Sequence, residues 1–263
     1  FDMGIAGVAW ATFLCQSISC ILSIIIVLKR LHSLKCNEDE RVRIFDIHIF
    51  GRIAAIAVPS ILQQSFISVG NIIIQSVING FGTSVMAGYS AAIKLNNLVI
   101  TSLTTLGNGI SNYTAQNLGA GKKERIRPGF FAGGKLVWII CIPFIILYWV
   151  AGRYLLLLFM EQSSTSAIET GMQFLKIISP FYMIVSIKLV ADGVLRGAGK
   201  MGRFMITTFT DLILRVALAI LLSAHYGTAG IWSAWPIGWC ISTTLSVVFF
   251  FTGEWNQKKI ATI

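Results

Sequence analysis

Two runs of polar side chains recur at helical spacing inside stretches that are otherwise apolar. Gln64, Ser68, Asn71, Gln75 and Asn79 follow one another at intervals of 4, 3, 4 and 4. Lys94, Asn97, Thr101, Thr104, Asn108 and Ser111 follow at 3, 4, 3, 4 and 3. Each run marks one face of a helix. Amides and hydroxyls are poor nucleophiles but good hydrogen-bonding surfaces, so the chemistry they suggest is binding and hydration. Two roles fit: hydrogen bonds between helices within a bilayer, or the wall of a water-filled cavity. Stripes of five and six on consecutive helices favour the cavity, with Gln64, Ser68, Asn71, Gln75, Lys94, Asn97, Thr101 and Thr104 as its candidate substrate-facing residues.

Charged side chains in apolar surroundings are the second signal. Lys188 and Asp192 are four residues apart, as are Asp211 and Arg215, so each couple can pair on one helix face. A charge at mid-membrane costs at least about 2.5–3.5 kcal/mol on insertion scales and seldom persists without a partner. Lys188–Asp192 lies near the basic Arg196 and fits an interfacial, snorkelling role as well as a paired one. Asp211–Arg215 reads as an intramembrane pair, either a static clamp between helices or an ion-linked switch.

Other chemistries find no residues. The five cysteines, Cys15, Cys20, Cys36, Cys141 and Cys240, form no CxxC pair, and His32, His48 and His225 have no ligand spacing. Two GAGK sequences, at 119–122 and 197–200, evoke a phosphate loop. The Walker pattern fails for the first, where Gln116 stands in place of the leading glycine and Lys123 in place of Ser or Thr. Both read as tight turns in which glycine supplies a positive φ. No nucleophile–base arrangement is present. The expectation is therefore no enzyme activity, no catalytic residues, no metal and no cofactor other than a coupling ion.

The elements that would position these residues follow from composition. Hydrophobic residues make up 55% of the 263 and charged residues 12%, with a mean hydropathy of +0.76; soluble chains carry about a quarter charged residues. Seven stretches, roughly 4–28, 52–79, 83–113, 131–158, 168–194, 204–224 and 229–252, are long and apolar enough to cross a bilayer as helices. Their unbroken apolar character excludes the alternating segments of a β-barrel. The fold class is all-α: a polytopic helical membrane protein. Pro59, Pro143 and Pro180 fall inside spans and predict kinks.

The net charge of +10 reports topology rather than a nucleic-acid partner. Sixteen of the 21 Lys and Arg fall in or beside 29–52, 122–135, 196–203 and the tail. These segments follow alternate spans, which puts them on one face, cytoplasmic by the positive-inside rule, with the C-terminus. Anionic lipid headgroups are the partners that this charge would meet.

The first helix also echoes the last. GIAGVAWAT at 4–12 matches GTAGIWSAW at 227–235, and 8 of the 23 positions from Gly4 to Ile26 are identical in the continued alignment. Two parallel six-helix repeats account for this. On that reading 1–28 is the last helix of an N-terminal lobe lying mostly outside this chain. Residues 29–48 are a basic cytoplasmic linker, 49–253 a six-helix C-terminal lobe and 254–263 a cytoplasmic tail.

At this point the chain resembles the multidrug and toxic compound extrusion (MATE) transporters over its whole length. The resemblance rests on GIAGVAWAT, VPSILQQ, NGFGTSVMAGYSAAIKLNNL, AQNLGAGKKER, VLRGAGK and GTAGIWSAWPIGW taken together. It implies two lobes around a central cavity and export of amphipathic, often cationic, compounds against inward H⁺ or Na⁺. It also implies a multi-pass plasma-membrane protein, monomeric when full length, whose partners are lipid, small organic substrates and the N-terminal lobe. Some family members carry an acidic residue in the helix that opens the C-lobe, but 49–79 has none. The acid four before Arg in the penultimate helix, here Asp211 and Arg215, resembles anaerobe-type members. A lipid-linked precursor flippase of the same superfamily and a non-transporting membrane scaffold are the alternatives.

Overall fold

A computed structural model describes residues 4–33, 45–161, 164–253 and 255. All regular structure among them is helical. The expected linker residues Lys35, Cys36, Arg41 and Arg43, and Lys258 and Lys259 of the tail, lie outside the described residues. The chain divides into two compact units, Phe1–Phe50 and Gly51–Ile263.

In the first unit, helix α1 (Gly4–Ser33) carries apolar side chains on all sides, from Trp10 and Phe13 to Leu28 and Leu31, and they are exposed. A helix apolar all round belongs in lipid. Helix α2 (Ile47–Asn79) starts here and continues into the second unit. Asp46 caps its first turn: its carboxylate accepts from the backbone N–H of His48 at 2.7 Å and of Ile49 at 3.2 Å.

The second unit adds α3 (Thr83–Gly119), α4 (Ile126–Leu157), α5 (Thr165–Ile178), α6 (Tyr182–Gly197) and α7 (Met201–Phe251). A 3₁₀ turn at Ser179–Phe181, containing Pro180, separates α5 from α6. A proline that cannot donate its N–H thus breaks one apolar span into two helices. Pro59 and Pro143 lie inside helices that continue through them.

Five described segments are long and apolar enough to cross a bilayer: Ala9–His32, Ile47–Asn79, Lys123–Leu157, Thr165–Gly197 and Met201–Phe251. The 37-residue α3 has the length but carries a polar stripe, and falls outside that set. With 51 residues, α7 would extend about 77 Å if straight, over twice a bilayer core. It does not run straight. Gly227 adopts φ 57°, ψ −138°, and a Cβ on Gly230 would collide with the carbonyl of Leu222. Residues eight apart meet only if the chain has folded back, so α7 is two antiparallel arms hinged at a position only glycine occupies readily.

The expected tight turns form at both GAGK sequences. Gly121 and Gly199 have φ of 73° and 70°. The next N–H reaches back to close the helix end, Lys122 to the Asn117 carbonyl at 2.8 Å and Lys200 to that of Leu195 at 2.9 Å.

The core sits where α3, α6 and α7 meet, with Val190, Ala191, Val194 and Leu195 of α6 completely buried. Small residues allow this approach. A Cβ on Gly107 of α3 would lie 2.9 Å from the Leu189 carbonyl oxygen, and one on Gly193 of α6 would lie 2.5 Å from that of Gly107. One turn on, a Cβ at Gly197 would strike the Ser111 carbonyl. The pairs 107/111 and 193/197 are thus small residues four apart on two facing helices, the spacing that brings membrane helices into backbone contact. Gly193→Val should therefore destabilise the protein by about 1–3 kcal/mol, the usual cost of overpacking. Gly109→Ala, where nothing lies within 4 Å, should not. Thermal unfolding of the purified protein in detergent checks this; an equal effect of both substitutions would remove the close-approach account.

Candidate functional site

Within the second unit, α2, α3, α6 and α7 line a partly open cavity of about 590 Å³. Its α2 wall is Gln63, Gln64, Ile67, Asn71 and Gln75, and its α3 wall includes Ile93, Asn96, Asn97, Ile100, Thr104 and Gly107. Of the candidate residues named from spacing, Gln64, Asn71, Gln75, Asn97 and Thr104 line it. Ser68, Lys94 and Thr101 do not. The reason is helical phase: on both helices the lining face is turned toward the preceding residue, so Ile67 stands where Ser68 was expected and Ile100 where Thr101 was. Ser68 Oγ donates back to the Gln64 carbonyl at 3.0 Å, and Lys94 holds its ammonium 5.1 Å above the Phe159 ring.

The hydrogen bonds separate interhelical adhesion from hydration. Gln64, Asn71 and Asn97 make no side-chain hydrogen bond with other described residues. Gln75 Nε2 donates to Asn79 Oδ1 at 2.9 Å, and Thr104 Oγ1 to the Ile100 carbonyl at 2.8 Å, both within one helix. Of the stripe residues Asn108 bonds across helices, accepting from Arg196 at 2.8 Å, and two further bonds come from residues beside the stripes. Gln63 Nε2 donates to Thr208 Oγ1 at 3.0 Å, and buried Asn96 accepts from the Tyr182 hydroxyl at 3.0 Å. Spacing alone missed both, because each neighbours a residue that fits the stripe better. The amides of Gln64, Asn71 and Asn97 face the cavity, and a polar group in that position inside a membrane is one that water or a ligand can reach.

The four charged candidates all line the same cavity, on α6 and α7. Lys188 and Asp192 are buried and paired at 2.7 Å. Asp192 is further saturated by Thr207 Oγ1 at 3.0 Å and Ser246 Oγ at 2.7 Å, both donating to Oδ1. Thr207 and Ser246 sit on opposite arms of α7, so one carboxylate on α6 ties both arms. This burial answers the snorkelling alternative: the pair is internal.

The second couple is looser. Arg215 Nη2 lies 3.7 Å from Asp211 Oδ2, and the guanidinium stacks 4.6 Å from the centre of Trp235. Asp211 Oδ1 and Arg215 Nε are buried without a hydrogen-bond partner. Gly238 lies against Asp211, where a Cβ would be 2.9 Å from Oδ1. The aromatic rings of Tyr89, Trp235 and Trp239 complete this end of the cavity.

Among the described residues no cluster of His, Cys, Asp or Glu could hold a metal ion. Cys15, Cys20, Cys141 and Cys240 are free thiols.

The MatE family model matches residues 59–221. "Probable multidrug resistance protein YpnP" of Bacillus subtilis (strain 168) is 29% identical over 263 residues, covering 100% of this chain and 58% of that protein. "Probable multidrug resistance protein YoeA" of the same organism is 24% identical over 263 residues, covering 98% and 56%. The solved structure titled "Crystal structure of MATE in complex with MaL6" superposes with a TM-score of 0.84 at 17% identity, covering 98% of this chain and 58% of that one. The chain thus spans just over half the length of the curated relatives it matches.

The two ion pairs should respond differently to loss of a partner. Asp192→Asn leaves Lys188 buried and unpaired, a loss of up to about 3–5 kcal/mol where water is excluded. Adding Lys188→Met removes the orphan charge and should restore much of that loss. Asp211→Asn should cost less, since Arg215 keeps Trp235. Thermal unfolding of the purified variants decides it: a double variant less stable than Asp192→Asn alone would contradict the pairing.

Proposed function

The chain belongs to the MatE family, and on that footing we propose that it forms part of a secondary active efflux transporter. The transporter exports amphipathic organic compounds, drugs among them, in exchange for H⁺ or Na⁺. The observation that carries this reading is the cavity: unpaired amides and two ion pairs gathered around one cavity of an otherwise apolar helical unit. A static membrane scaffold has no use for unpartnered amides in that position, whereas a substrate path needs groups that can trade water for ligand.

The two-lobe reading extends the same proposal. Residues 49–253 form the C-terminal lobe, 1–28 close the N-terminal lobe, 29–48 link them and 254–263 end in the cytoplasm. Counting the two arms of α7 separately and admitting α3 gives seven spans in the plasma membrane. The transporter works as a monomer, and its cavity is completed by the N-terminal lobe. Substrate and coupling ion then act by binding one of two lobe arrangements more tightly than the other. Asp211 and Arg215, loosely paired with unsatisfied atoms, form the couple whose partners can change at low cost, and we assign the ion-linked step to them. Lys188–Asp192, saturated by Thr207 and Ser246, acts as the fixed tie. The names of the relatives favour drug efflux over lipid-precursor flipping.

The test is ion-gradient-driven export. Full-length protein carrying this chain, expressed in cells lacking their own major efflux pumps, should lower accumulation of ethidium, rhodamine 123 or fluorescein. Collapsing the H⁺ and Na⁺ gradients should abolish the effect, and Asp211→Asn should reduce it toward the vector control. Accumulation equal to that control for all three dyes, with the protein present in the membrane, would overturn the assignment.

A further inference from the structure

Charge on the part of the cavity wall that this chain supplies is not balanced. Lys188, Arg196 and Arg215 supply three cations, and Asp192 and Asp211 two carboxylates. The carboxylates are engaged. Both oxygens of Asp192 accept from protein donors, Lys188 on Oδ2 and Thr207 and Ser246 on Oδ1, and Asp211 sits beside Arg215. Arg196 is the cation left over. Its Nη2 donates to Asn108 Oδ1 at 2.8 Å and its plane lies 5.2 Å from the centre of the Phe204 ring. Both partners are neutral. They fix the orientation of the guanidinium without cancelling its charge, and the carboxylate that acts on it through space, Asp192 one turn earlier on α6, is shared with Lys188 and already accepts from Lys188, Thr207 and Ser246. Its Nε is buried without a partner, and Nη1 makes no hydrogen bond with any described residue.

Resting on the transport reading above, we propose that Arg196 is an oxyanion-binding residue at the end of the cavity next to the 197–200 turn. The compounds this wall accepts then include amphipathic molecules bearing a carboxylate or phosphate. The physical case has three parts. A guanidinium offers parallel N–H groups matched to the oxygens of such anions. A carboxylate already holding three donors has little to offer an incoming ammonium group, so the same end of the cavity discriminates against cations. The surrounding low-dielectric wall strengthens the attraction relative to water. The apolar body of the ligand would lie toward Phe204 and Leu189, which line the cavity at the same level.

Fluorescein and rhodamine 123 share a xanthene ring and differ in charge, so they serve as matched probes. With purified full-length protein in phosphatidylcholine nanodiscs, fluorescence anisotropy should show fluorescein binding. Arg196→Gln should weaken it about tenfold, the scale of one charge-assisted hydrogen bond, without weakening rhodamine 123. Asn108→Asp, which supplies Arg196 with a carboxylate, should weaken fluorescein in the same way, and rhodamine 123 binding retained by both variants shows that the loss is not unfolding. No fluorescein binding, fluorescein affinity unchanged in both variants, or equal loss of both dyes in both variants would overturn the proposal. So would loss of fluorescein binding when phosphatidylglycerol is added to the nanodiscs, which would give Arg196 to lipid headgroups. Export is read separately. Arg196-dependent binding of fluorescein without gradient-driven movement would end the transport reading and leave the site standing. Export of both dyes unaffected by Arg196→Gln would do the reverse.

Discussion

A polar group inside a bilayer must find its partner in the protein or in enclosed water, because hydrocarbon offers none. Asp192 meets that constraint entirely with protein. Its carboxylate takes Lys188 from its own helix and a hydroxyl from each arm of α7. The next residue, Gly193, lets α3 approach until backbones touch. The tie and the close packing are adjacent on α6: Asp192 faces α7, and a larger residue at 193 would hold α3 away from the helix that carries the charge. Much of the second unit can be read outward from that point, with α7 held as a folded-back pair and α3 pressed along α6.

The stripes on α2 and α3 meet the same constraint the other way. Gln64, Asn71 and Asn97 have no protein partner among the described residues, and they share the cavity wall with the charged couples. Interhelical hydrogen bonding is carried by their neighbours Gln63 and Asn96. This division of labour between adjacent positions explains how one helix can both pack against its neighbours and present a polar face to the cavity. The Asp211–Arg215 couple on the same cavity is loose, with an unsatisfied atom on each partner, while Lys188–Asp192 is sealed by third and fourth partners.

Much of this was legible in the residues alone. Helical class and apolar spans follow from composition, the i,i+4 ion pairs from spacing, and the two GAGK turns from glycine. The stripes lie on two of the four helices that line the cavity, with the lining face turned slightly from the one that spacing gives. Periodicity resolves phase only to about one residue, and Ser68, Lys94 and Thr101 fell on the wrong side of that limit. Partners distant in sequence were not legible at all. Nothing local connects Asp192 to Ser246 or Arg196 to Asn108, and the small-residue contact of 107/111 with 193/197 appears only when two helices are laid side by side. The hinge at Gly227 was visible as a gap between apolar stretches, yet its sharpness came from a backbone conformation that no pattern of hydropathy encodes.

The central claim is that the polar face of α3 borders water rather than lipid or another helix. Spin labels placed singly from residue 94 to 111 in the full-length protein test it most directly. Relaxation by a water-soluble nickel chelate is compared with relaxation by lipid-soluble oxygen. The account predicts nickel accessibility rising and falling with helical period, highest at 97, 100 and 104, with oxygen accessibility highest at 98 and 105. A flat nickel profile, or one in which 97 and 104 follow oxygen instead, would contradict it.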